Sequence, residues 1–204
     1  MPAKRLLRAV KDPRRRAVLV LYGGALFHFL YALFRLMGGV VYRRSLLDAV
    51  AVYYLLLALN RLLLILYHRR GEGERRAARL SGLLLFVTVA LLLILIAQTV
   101  SGERRPSTPP LFTVASGIYA LLCAALALYE LLWADRLACP VLVASRTVSL
   151  AAVLLSGFTF LSELLFSLPV GEHARGVVLI SVGAAAILLL LLLSVLLYRK
   201  QKIK

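Results

Sequence analysis

His28 has the broadest chemical range of any side chain in this 204-residue sequence. It falls near the middle of a long apolar run, where an imidazole can carry a proton or hold a ligand. It can equally stay neutral and hydrogen-bond a neighbouring helix, with Phe27 and Phe29 beside it. The absence of carboxylate or cysteine company favours the second use. Arg35, Asp48, Arg61, Glu130, Arg146 and Glu163 also lie inside apolar runs. Charge inside a membrane is costly enough to make each a functional candidate. Sorted by depth they form two layers of mixed sign, with Arg35, Asp48 and Glu163 near one face and Arg61, Glu130 and Arg146 near the other. Arg35–Glu163 and Arg61–Glu130 are geometrically possible pairs. As gates or coupling-ion sites these residues would serve transport. As snorkelling side chains and interhelical ion pairs they would serve packing. Their positions near the ends of the runs, where charge is cheap, favour packing. Tyr53, Tyr54, Ser149 and Ser156 add hydroxyls of the kind that commonly join membrane helices.

The elements that must position these groups are long and apolar. Hydrophobic residues make up 62% of the chain and charged residues 17%, against about half and a quarter in a soluble domain. A helix needs about 20 apolar residues to cross roughly 30 Å of hydrocarbon. Six runs meet that length: Ala17–Met37, Leu46–Tyr67, Leu80–Val100, Leu111–Trp133, Val141–Phe166 and Val177–Tyr198. Only helices satisfy their own backbone in lipid short of a closed barrel. The reading is therefore all-α, a bundle of six transmembrane helices over residues 17–198. A basic N-terminus covers 1–16 and a basic tail covers 199–204. The connections are short and carry turn residues or charge, among them Gly38-Gly39 and the segment from Pro169 to Arg175. The last helix, with leucine from Leu188 to Leu193, is expected to be the most exposed to lipid.

The formal charge of +16 could suggest nucleic acid, but its placement argues otherwise. Seventeen Lys and Arg residues fall at one end of the six runs and five at the other. The positive-inside rule then places both termini in the cytoplasm of a multi-pass cell-membrane protein. The partners expected are the bilayer and, at the basic N-terminus, anionic headgroups. No nucleic acid is expected. The first run is too long for a signal sequence and no small-residue cleavage site follows it before Arg43. Cys123 and Cys139 make no disulfide framework, and three histidines without a His/Cys cluster argue against zinc. No cofactor is implied.

Two segments carry a family likeness. One is Phe29-Leu-Tyr-Ala-Leu-Phe-Arg-Leu-Met-Gly-Gly, followed by Ser45 and an Ala-rich helix start. The other is Cys139-Pro-Val-Leu-Val-Ala-Ser-Arg, with Ser156 beyond it. Together they resemble helices 1–2 and 4–5 of the cation diffusion facilitators, whose membrane domain also has six helices with both ends inside. The resemblance implies a transporter-like scaffold and a homodimer. That family holds a divalent metal between helices 2 and 5 with ligands at i and i+4. The matching positions here are Ala51, Leu55, Val148 and Ala152, none of which can bind a metal. Only six residues follow Tyr198 in this sequence, where the family carries a cytoplasmic metal-binding domain. The family's zinc/proton exchange is therefore not expected.

The function expected is transport-like handling of a small solute or ion, with a non-transporting membrane scaffold as the alternative. An enzyme is not expected. There is no HExxH, no GxSxG and no acidic pair within one run, and Glu172-His173 reads as a solvated turn. No run carries arginine at the three-residue steps of a voltage sensor.

Overall fold

The computed structural model describes residues 13–70, 73–101, 109–134 and 140–200. Lys4 to Lys11, Arg104, Arg105, Arg136, Cys139, Lys202 and Lys204 lie outside these residues. Six helices account for nearly everything described: α1 (Pro13–Tyr42), α2 (Ser45–Arg70), α3 (Glu74–Ser101), α4 (Pro110–Ala134), α5 (Pro140–Ser167) and α6 (Glu172–Lys200). Three of them begin on proline, whose fixed φ and missing N–H suit the first helical position. Each helix is long and apolar enough to cross a bilayer, the composition of a multi-pass membrane protein.

Two expected connections are helical instead. Gly38 and Gly39 stay in α1, which runs on to Tyr42. Their missing side chains serve packing: a Cβ on Gly38 would overlap the Phe112 ring of α4, and one on Gly39 would overlap the Asp48 carboxylate. Glu172 and His173 open α6 rather than forming a loop. An acidic residue in the first turn complements the helix dipole, and the Arg175 N–H bonds back to the Gly171 carbonyl at 3.0 Å.

The α1–α2 link is reduced to Arg43 and Arg44. Arg43 adopts φ 49°, the left-handed region, and the Arg44 N–H donates to the Gly39 carbonyl at 3.0 Å. This is the geometry of a helix C-terminal cap, usually occupied by glycine. A side chain there costs about 1 kcal/mol. Arg43→Gly is therefore expected to stabilise the protein by about that amount, read as a raised unfolding temperature in detergent.

The bundle is organised around α2 and α5, whose apolar windows are each 56% buried, against 22% for α6. The poly-leucine helix is thus the most lipid-exposed, as its composition requires. Helix α1 packs along α2, α4 along α5, and α3 along α6, while α2 and α5 also meet each other. Polar locks hold α3 in place. Asn60 Nδ2 donates to the Ser81 carbonyl at 3.3 Å, and Ser194 Oγ donates to the Gly82 carbonyl at 2.9 Å. Helices α1 and α4 differ from the other neighbours. Their backbones stand apart and long side chains fill the gap: Phe27 stacks on Tyr119 at 4.8 Å, Tyr31 on Tyr119 at 3.6 Å and Phe34 on Phe112 at 5.0 Å between ring centres.

Candidate functional site

Chain direction alternates from helix to helix, so the starts of α1, α3 and α5 and the ends of α2, α4 and α6 share one end. That end is called the terminal end below, and the other the far end. A column of polar side chains runs between them, bounded by α1, α2, α4 and α5.

Near the far end, Arg35 of α1 is fully buried and Glu163 of α5 is 4% exposed. Arg35 Nη1 donates to Glu163 Oε1 at 2.5 Å. Its Nε donates to the Tyr31 hydroxyl at 2.9 Å, one turn earlier on the same helix, and Nη2 donates to Tyr31 at 2.6 Å and to Ser116 Oγ of α4. Ser116 Oγ in turn donates to Glu163 Oε2 at 2.5 Å. The guanidinium also lies over the rings of Tyr31 (5.1 Å) and Phe112 (5.8 Å). Every guanidinium nitrogen is engaged, and the two formal charges cancel.

Toward the terminal end a second cluster repeats the arrangement. Arg61 of α2 is fully buried and Glu130 of α4 is 6% exposed. Arg61 Nη1 donates to Glu130 Oε1 at 3.2 Å, and Nη2 donates to Ser149 Oγ of α5. Ser149 Oγ donates to Glu130 Oε2 at 2.6 Å, and Ser145 Oγ donates to Oε1 at 3.3 Å. The Arg61 guanidinium rests against Gly24 of α1, where any Cβ would overlap it. Gly24→Ala is thus expected to cost about 1–3 kcal/mol through overpacking. Gly23→Ala meets nothing within 4 Å, so it should stay within about 0.5 kcal/mol. Thermal unfolding of the two variants side by side checks the pair.

Between the clusters lies an aromatic layer. His28 Nδ1 and the Tyr119 hydroxyl are joined by a 2.5 Å hydrogen bond between α1 and α4. The Tyr54 ring of α2 closes against His28, Tyr31 and Tyr119. His28 Nε2 and the Tyr54 hydroxyl are buried without a hydrogen-bond partner. The Cys123 thiol faces Tyr119 and Ser156. Ser116 and Glu130 are fourteen residues apart on α4, as are Ser149 and Glu163 on α5. At 1.5 Å per residue the two ion pairs stand roughly 21 Å apart, both within a hydrocarbon layer of roughly 30 Å.

The structure therefore forms both pairs that the sequence leaves open. Neither arginine snorkels, because both are buried completely. Other candidates fall elsewhere. Asp48 is half-buried in the first turn of α2, its Oδ1 against Gly39 and without a hydrogen bond, apart from the Arg35 cluster. The Tyr53 hydroxyl is turned to Thr88 of α3 rather than into the column. Arg146 is half-buried on α5. Ser156 Oγ donates to the Val153 carbonyl of its own helix at 3.2 Å. Tyr31, Ser116, Tyr119 and Ser145 belong to the column but carry no charge to mark them in sequence. Ala51, Val148 and Ala152 are buried core positions, and no three His, Cys, Asp or Glu side chains among the described residues cluster as metal ligands. No family model, curated protein or solved structure matches this chain.

Proposed function

We propose that the chain is a multi-pass protein of the cell membrane, with both termini in the cytoplasm, that moves a small solute or ion by opening two ion-pair gates in turn. One observation carries this reading: both buried ion pairs join the α1–α2 side of the bundle to the α4–α5 side, and they do so at opposite ends of one polar column. Breaking one pair while the other holds would let the two sides part at one end only. The α1–α4 seam suits that motion, because side chains rather than close-packed backbone span it. The excess of Lys and Arg at the terminal end supports its assignment to the cytoplasm. The six-helix cation diffusion facilitator scaffold remains our family reading, without that family's zinc/proton exchange.

Reconstitution tests the proposal. Proteoliposomes are offered divalent metals, monovalent ions and small organic solutes, with internal pH followed throughout. Saturable uptake that Arg35→Ala and Glu163→Ala each abolish, measured per amount of folded protein recovered, is the expected result. A second reading, a rigid membrane scaffold, is favoured by the full pairing of Arg35 and by the charge neutrality of both clusters. Folded protein that moves nothing across the panel would favour it.

A further inference from the structure

At the terminal end a cavity of about 430 Å³ opens between α2 and α3, lined by Tyr67, Arg70, Gly73 and Arg76. Its size falls in the range of small-ligand sites, about 300–1,000 Å³. The two arginines come from different helices, at the end of α2 and the start of α3, and line one cavity. Gly73 lines it with φ 77°, the left-handed region that favours glycine, and a Cβ there would meet the Tyr67 ring at an ordinary contact distance of 3.4 Å. Two like charges held on one cavity repel each other and suit an anion between them. Guanidinium pairs match phosphate oxygens in geometry as well as in charge.

The surroundings indicate which phosphate. Arg70 stands one turn beyond Leu66, which stands one turn beyond Leu62, and both leucines are exposed. Arg76 continues into exposed Leu80, Leu83 and Val87 at helical spacing. Each arginine thus caps an outward apolar stripe, at the level where its helix passes from apolar to charged sequence. Tyr67 sits at that level too, where aromatic rings favour the membrane interface. A soluble phosphate would use the cavity and leave the stripes idle. A phospholipid uses both.

We propose that Arg70 and Arg76 form a binding site for the phosphate of an anionic phospholipid in the leaflet at the terminal end, with acyl chains lying along Leu62–Leu66 and Leu80–Leu83. The site is independent of the polar column and of the transport reading. The test is equilibrium binding of fluorescent short-chain phosphatidylglycerol to the purified full chain in neutral detergent. Saturable binding is expected, with phosphatidylcholine markedly weaker. The double variant Arg70→Gln/Arg76→Gln should weaken phosphatidylglycerol about thirtyfold, and Arg15→Gln/Arg16→Gln, which removes equal charge at the same end, by less than about threefold. Both arginines of the site are exposed, so helical content and elution volume should be unchanged. Equal losses in the two double variants would overturn the site in favour of diffuse charge attraction. Displacement of the lipid by millimolar inorganic phosphate or glycerol 3-phosphate would overturn the lipid assignment in favour of a soluble anion.

Discussion

Arg61→Ala is expected to destabilise the folded protein by about 3–5 kcal/mol, the usual cost of removing one partner from a buried ion pair. The reason lies in what remains. Glu130 would keep Ser145 and Ser149 as donors but lose the cation it pairs with, while staying 6% exposed inside the bundle. Ser149 would lose the guanidinium that donates to it. The space beside Gly24 would empty as well, so a packing loss adds to the electrostatic one. Thermal or denaturant unfolding in a fixed detergent measures the effect. A loss below about 1 kcal/mol would mean that the pair is hydrated in solution and contributes little.

The second large effect separates stability from activity. Replacing both partners of the far-end pair by apolar side chains of similar volume, Arg35→Met with Glu163→Leu, removes two desolvated charges together. Such exchanges are often neutral or stabilising by about 1–4 kcal/mol. Tyr31 and Ser116 limit the gain, since each loses the bond it makes to the guanidinium. The double variant should therefore fold at least about as well as the parent. It should not transport, because an apolar plug gains nothing from water and holds the far end shut. A scaffold protein would show the same stability and no change in whatever partner it holds. Melting temperature and proteoliposome uptake on one preparation distinguish these outcomes.

The helices were legible in the sequence because a bilayer sets a minimum length for an apolar run, and the poly-leucine character of α6 already marked it as lipid-facing. The ends were less legible. Gly38-Gly39 looks like a break until Phe112 and Asp48 are seen to need the room. Helix facing was legible only where charge broke the apolar background. Arg35–Glu163 and Arg61–Glu130 were legible as possible pairs, since topology fixes depth, but depth alone did not choose between them and their neighbours in each layer. Asp48 shares its depth with Arg35 but turns to Gly39, and depth says nothing about such a rotation. Tyr31, Ser116 and Tyr119 stayed hidden for a related reason. Lipid is as apolar as a protein core, so a span apolar on every side has no periodicity to show which face turns inward. One trace was present all the same: Ser145, Ser149, Ser156 and Glu163 repeat on α5 at steps of four, seven and seven, a single helical face.

Cys123 offers the most direct test of alternate gating, because it is 1% exposed and lies in the layer between the two ion pairs. With Cys139→Ser as background it is the only thiol in the sequence. The measurement is its labelling by a membrane-impermeant maleimide in right-side-out and inside-out vesicles. Glu163→Gln leaves Arg35 buried without its counter-ion, and Glu130→Gln does the same to Arg61, so each should let water in at its own end. Labelling is predicted from the far-end face alone in Glu163→Gln, from the terminal-end face alone in Glu130→Gln, and slowly from either face in the parent. Labelling that rises equally from both faces in either variant, or that stays at the parent's rate in both, would contradict the two-gate account.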